Sequence, residues 1–209
     1  MTVDEHEGRH PERLLARARQ GDTDGLGSLL ELYRNYLYLM ARTQIDLHLQ
    51  GRASPSDVVQ EAFAQACENF AQFRGGSEKE LLAWLRRILV NTLAKLVEKQ
   101  VTARKRDARR EVSLEGALEQ SSARLEAWLA AEQSSPSEQA IRNEQLLQLA
   151  DALMQLTEEQ RRVVGLRFWK DCKLSEIATA MGRSEQAVAK LLQRALKKLR
   201  ELLGQHDLE

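Results

Sequence analysis

Two helix starts are spelled out in side chains, Ser54-Pro55-Ser56-Asp57 and Ser77-Glu78-Lys79-Glu80, and a glycine-bearing loop, FAQFRGGSE, joins the segments they begin. A serine N-cap accepts from backbone N–H groups that the first turn leaves unpaired. Proline suits the first helical position, and Ser with Glu three residues on makes a capping box. The stretch Ser54 to Lys99 is thereby constrained to a helical hairpin. On its first helix Val59, Ala62, Phe63, Ala66 and Phe70 form the inward stripe, leaving Asp57, Gln60, Glu61, Gln65 and Glu68 on polar faces. Its second helix turns Leu81, Leu82, Leu85, Ile88, Leu89, Leu93 and Leu96 inward, and at about 100° per residue Trp84, Arg87, Asn91 and Lys95 fall in a strip beside them.

An aromatic ring, two cations and an amide in one row are the parts of a surface for unstacked bases and phosphates. The plainer alternative has Trp84 sealing the core edge while Arg87 and Lys95 are solvated, and for Trp84 that alternative is preferred. Asn91 is a poor helix-interior residue three turns into a strong helix, which points to a polar partner.

The remainder of the chain is helical in character too. Three prolines and few β-branched runs leave almost nothing that reads as a strand. Pro11 to Gln20 make a short helix stopped by Gly21-Asp22, and one longer helix is expected from about Asp24 to Leu49, with Leu29, Leu32, Tyr33, Tyr36, Leu37 and Met40 inward. Cys67 and Cys172 form no CxxC pair, so neither a disulfide framework nor a zinc site is suggested, and Cys67 reads as a buried small hydrophobe. No apolar run resembles a signal peptide or approaches a membrane span, which places the protein in the cytoplasm.

Charge divides the sequence. Residues 161–200 hold eleven Lys and Arg against three Asp and Glu, whereas residues 111–160 hold two against ten. A neutral total thus hides a basic C-terminal block, which suggests a polyanion partner or a solvated helix surface. Between the halves lies ARKRDARR and then a Glu-, Ser- and Ala-rich stretch closing on Ser134-Ser135-Pro136-Ser137, a linker whose middle, Leu114 to Ala131, could form a weakly amphipathic helix. An all-α chain is expected, with domains over 1–100 and 138–209 joined by a charged linker over 101–137.

In the second domain Ile141, Leu146, Leu149, Ala150 and Leu153 share a face, and Thr157-Glu158-Glu159-Gln160 is a capping box before a helix burying Val163, Val164, Leu166 and Phe168. A short helix from about Leu174 to Met181 is closed by Gly182, and Ser184 caps a longer one. Ile177, Ala178 and Val188 let the two cross steeply as in a helix-turn-helix. Ser184, Glu185, Gln186, Ala189 and Lys190 would then face bases or backbone in a major groove, with Arg183, Arg194 and Lys197 on phosphates. A helical hairpin that binds protein instead has the same outline. His6, His10, His48 and His206 are scattered with no nucleophile or paired carboxylate, so no enzyme, metal, cofactor or small-molecule substrate is expected.

These residues carry a resemblance. DVVQEAFAQACENFAQFRGGSEKELLAWLRRILVNTLAKL resembles region 2 of bacterial extracytoplasmic function (ECF, group 4) sigma factors, and LTEEQRRVVGLRFWKDCKLSEIATAMGRSEQAVAKLLQRALKKLRELL is similar to their region 4. The resemblance implies a subunit that directs core RNA polymerase to promoters. By position, Asp57, Gln60 and Glu61 would dock on the clamp helices of the polymerase largest subunit. Phe73, Arg74 and Ser77 of the loop, with Arg87, Asn91 and Lys95, would capture a flipped base and hold the single strand of the −10 element. Arg183 to Lys190 with Arg194 would read the −35 element, the linker would thread the polymerase cleft, and an anti-sigma factor is a possible further partner. Lys173 departs from the Ser or Thr that many relatives use to cap the first helix of the motif. Two other functions remain compatible with the residues: a dimeric helix-turn-helix regulator with a helical sensing domain, and an interaction module that binds no DNA.

Overall fold

The computed structural model describes residues 10–48, 53–100, 116, 119, 120, 123 and 139–206, all helical or in short turns with no strand among them. Two compact units divide the chain, residues 1–120 and 121–209. The expected linker helix and the basic run ARKRDARR lie almost wholly outside the described residues.

Unit one is built from α1 (Pro11–Arg19), α2 (Thr23–Leu32), α3 (Arg34–His48), α4 (Pro55–Asn69) and α5 (Glu78–Gln100), with a 3-10 turn at Phe70–Gln72. Proline occupies the first turn of α1, Asp22 caps α2 by accepting from Gly25 N–H, and Ser54 caps α4 by accepting from Asp57 N–H at 3.4 Å. Helices α3, α4 and α5 pack on one another, and α1 packs against α2 and α5. Between them Leu29, Tyr36, Leu37, Met40, Val59, Ala66, Leu81, Leu85, Leu89 and Leu93 are buried. Each of the Val, Leu and Met side chains among them contributes about 1.5–3 kcal/mol over its exposed state.

Three expectations change here. The single helix from Asp24 is two, broken at Tyr33, whose backbone sits at φ −92° and ψ −3°. Helical spacing alone is continuous through this point, but the break aims a fully buried tyrosine at a partner 45 residues away, Glu78. Cys67 is exposed, because its neighbour Ala66 takes the inward position and the next residue on a helix is turned about 100° aside. Phe63, Phe70 and Leu96 are half-buried, and Val58 is buried in their company.

Unit two contains α6 (Gln139–Met154), α7 (Glu158–Val164), α8 (Leu174–Met181) and α9 (Glu185–His206). A reciprocal capping box starts α7: Thr157 Oγ1 accepts from Gln160 N–H, and Gln160 Oε1 accepts from Thr157 N–H at 3.1 Å. Helix α9 packs on α6, α7 and α8 around Leu149, Leu153, Val163, Ile177, Val188, Ala195 and Leu199. After Val164 the chain widens into a π turn, Gly165–Trp169, closed by Lys170 N–H on Gly165 C=O. The extra residue in that turn shifts the register. Trp169 therefore takes the buried place, and Leu166 and Phe168, expected inside, are half-buried.

Leu89→Ala should cost about 2–5 kcal/mol, because a rigid helical core cannot close over the lost volume. Gly182→Ala should cost about 1 kcal/mol, since φ is +62° there and a Cβ is strained in the left-handed region. Urea unfolding followed by circular dichroism checks both.

Candidate nucleic-acid interfaces

The loop of the hairpin is shaped from three directions. Phe73 N–H donates to Phe70 C=O at 2.9 Å, ending the 3-10 turn, and Phe73 then turns extended. Its ring lies 5.9 Å from Phe70 and 5.0 Å from Trp84, and Phe70 meets Trp84 edge-on at 6.1 Å. The three rings pack together at the loop end of the hairpin, in line with the core-edge place preferred for Trp84. Gly75 passes so close that a Cβ there would sit 2.4 Å from Phe73 Cζ and 2.8 Å from Glu80 Cβ.

One carboxylate oxygen completes the loop. Glu80 Oε2 accepts from Gly76 N–H at 2.6 Å, from Ser77 N–H at 3.0 Å and from Ser77 Oγ at 2.9 Å, while Ser77 Oγ accepts from Glu80 N–H. These donors hold the Glu80 carboxyl below its ordinary pKa, Gly76 N–H first and the Ser77 groups next, with Arg19 adding a nearby positive charge. From beneath, the buried Tyr33 hydroxyl donates to Glu78 Oε1 at 2.9 Å. Burial, and then the Glu78 carboxylate, push that phenol's pKa far up, so it remains a donor. Two turns along α5, Arg86 Nε donates to the buried Tyr36 hydroxyl at 2.6 Å and its guanidinium lies 5.4 Å from that ring.

Against this frame the sequence candidates separate. Arg87, Asn91 and Lys95 are exposed at four-residue spacing on α5, and Arg74 is exposed at the loop tip. Phe73 is half-buried in the aromatic cluster, and the Ser77 hydroxyl is engaged in the cap. Both shape the loop. Asp57, Gln60 and Glu61 are exposed on α4, forming an acidic and amide face, with Glu61 accepting from Gln65.

Arg19 was not legible as a site residue. It stands at the end of α1 with its guanidinium 6.0 Å from the Phe73 ring. An open pocket of about 560 Å³ lies there, lined by Arg19, Leu26, Cys67, Phe70, Phe73 and Arg74 among others. Nothing local in LLARARQGD marks that arginine, because its neighbours come from α4 and the loop.

The second interface is the α8–turn–α9 motif. Lys173 N–H donates to Glu176 Oε2 at 2.7 Å, so half of a capping box starts α8 without a Ser or Thr. Gly182, in the left-handed conformation, ends α8, and Arg183 N–H reaches back to Ala178 C=O at 3.0 Å. Ser184 Oγ accepts from Ala187 N–H at 3.2 Å and starts α9. Ile177, Ala178 and Val188 are buried at the crossing. Ser184, Glu185, Gln186, Ala189 and Lys190 are all exposed on the first turns of α9, as a groove reader requires. The phosphate candidates are exposed too. Arg194 Nε donates to Lys190 C=O at 3.3 Å, Lys197 lies 3.9 Å from Glu201, and Arg183 is paired with Glu159 of α7.

Among the described residues no group of three or more His, Cys, Asp or Glu side chains is placed to hold a metal ion, and no helix is long and apolar enough to cross a membrane.

Comparison with known proteins finds two matched families, described as Sigma-70 region 2 over residues 29–102 and Sigma-70, region 4 over residues 146–199. The RNA polymerase sigma-E factor of Streptomyces antibioticus is 31% identical over 159 residues, covering 73% of this chain and 72% of that one. The ECF RNA polymerase sigma factor SigL of Mycobacterium tuberculosis is 30% identical over 155 residues, covering 74% and 77%. The ECF RNA polymerase sigma factor BldN of Streptomyces coelicolor is 26% identical over 190 residues, 91% of this chain, and the match spans 64% of its own length.

Gly75→Ala should disrupt the aromatic closure, lowering the near-ultraviolet dichroism of Phe73 and Trp84 and costing roughly 1–3 kcal/mol by overpacking. The depressed Glu80 pKa means that its cap stabilises fully above the ordinary glutamate value and is lost as pH falls through the lower folded value. A carboxyl NMR titration should therefore give Glu80 a midpoint below the ordinary glutamate value.

Proposed function

This chain belongs to the extracytoplasmic function sigma factors of the sigma-70 family, and from that premise we propose that it binds core RNA polymerase and directs promoter-specific initiation of transcription. One observation carries the reading: a single polypeptide pairs an exposed Arg87–Asn91–Lys95 row beside a capped, aromatic-closed loop with a helix-turn-helix whose reader residues are exposed on its surface. A dimeric duplex-binding regulator has no use for the first of these. An interaction module has no use for the second.

Residues 1–100 serve as the polymerase-binding and −10 domain, residues 138–209 as the −35 domain, and 101–137 as the connection. Asp57, Gln60 and Glu61 offer the polymerase a polar docking face. Arg74, Arg87, Asn91 and Lys95 contact the unpaired strand, with Phe73 and Ser77 setting the loop that receives a flipped base. Ser184, Glu185, Gln186, Ala189 and Lys190 face the −35 groove, and Arg183, Arg194 and Lys197 its phosphates. The protein acts by binding: polymerase and −35 contacts offset the few kcal/mol, on the order of 2–4, that unstacking a base requires. This role places it in the cytoplasm, and an anti-sigma factor would act by covering one of the two DNA-binding surfaces or the polymerase-docking face.

In vitro transcription with core polymerase on a genomic promoter library should yield transcripts that depend on this chain. Asn91→Ala should reduce promoter opening, read by permanganate footprinting, roughly tenfold with −35 binding retained, the loss of one contact of about 1.4 kcal/mol. Arg194→Ala should weaken engagement at every promoter and lower the salt slope of binding by about 1. Absence of any dependent transcript overturns the reading.

A further inference from the structure

Arg183 occupies the turn between α8 and α9, immediately before the reader helix, yet its guanidinium is directed back onto the Glu159 carboxylate in the first turn of α7. The two elements are tied a second time. Arg162, three residues after Glu159, donates from its guanidinium to Ala180 C=O near the end of α8 at 3.1 Å. That tie brings α7 beside the turn and favours the reach of Glu159 to Arg183. The reader's other two candidate phosphate contacts are held within α9 itself: Arg194 Nε rests on the Lys190 carbonyl, and the Lys197 ammonium is 3.9 Å from Glu201 at the far end of the motif.

A carboxylate offers a guanidinium the same paired oxygens and the same sign of charge as a DNA phosphate. We infer that Glu159 is an internal phosphate surrogate, a residue that sets the strength and salt dependence of −35 binding by competing with the DNA backbone for Arg183. The inference rests on the assignment of Arg183 to a phosphate under the proposed function. Glu159 and Arg183 side chains are 56% and 37% exposed, so the pair is solvated and weakly held. It therefore discounts DNA binding without preventing it. With the carboxylate present, Arg183 neutralises a phosphate only in part. Without it, one further phosphate is neutralised in full and its condensed counterion is released.

The test uses the full chain reconstituted with core RNA polymerase and a fluorescein-labelled duplex that the wild type enriches from a random-sequence pool. Anisotropy titrations across a salt series compare wild type, Glu159→Gln, Arg183→Ala and the double variant, with circular dichroism confirming that each is folded. Glu159→Gln should bind roughly two- to fivefold more tightly, the span of an exposed ion pair. Its salt slope should steepen by up to about 0.9. The double variant should bind no better than Arg183→Ala. Unchanged or weaker binding by folded Glu159→Gln overturns the inference. So does a gain that persists when Arg183 is absent, which would reflect the general loss of a negative charge. A wild-type assembly that enriches no duplex overturns the −35 assignment itself, and the surrogate with it.

Discussion

A buried phenol holds the working end of unit one in place. Tyr33 has no exposed surface, and its hydroxyl must find an acceptor, since an unmade buried donor costs about 1–3 kcal/mol. The acceptor is Glu78, the first residue of α5 and the one that follows the loop. The helix break at Tyr33 serves this contact by pointing the ring at the hairpin. Tyr36, on the next helix, meets α5 a second time, its hydroxyl accepting from Arg86 Nε. Two anchors on one helix set both its height and its rotation. Arg87, Asn91 and Lys95 face outward because Leu81, Leu85, Leu89 and Leu93 are packed inward, and the two anchors reinforce that orientation.

Above those anchors the loop closes on itself through Glu80 and the ring cluster. Its residues divide by the partners they already have. Ser77 and Phe73 are engaged within the loop, whereas Arg74 and the α5 row have side chains in solvent. A surface for an unpaired strand needs both kinds, since side chains that bind DNA act with least loss when the backbone beneath them is already ordered.

In unit two the same economy is built from different parts. Glu176 accepts from Lys173 N–H at the start of α8, the half of a capping box that Gln160 supplies to α7, and Gly182 and Ser184 set the turn. Arg162 and Glu159 then bind that turn to α7. The net positive charge of this region is therefore not spread evenly over equivalent cations: Arg183 is partnered by a carboxylate of another helix, and Lys197 by one on its own.

Much of this was readable in one dimension. The caps at Ser54, Ser77, Thr157 and Ser184, the leucine face of α5, the helix-turn-helix with its apolar crossing, and the exposed reader and strip residues are all local consequences of residue type and helical period. Capping and amphipathicity act within about one turn, so a single segment contains the whole cause. The break at Tyr33, the inward swing of Trp169, the exposure of Cys67, the place of Arg19 beside the loop and the pairing of Arg183 with Glu159 were decided only by tertiary structure. Tyr33, Arg19 and Arg183 depend on partners 45, 54 and 24 residues away in sequence, Trp169 on the register shift of the π turn, and Cys67 on which of two adjacent positions packing turns inward. The helical period is silent about such partners, because it records which way a side chain points and not what it meets there.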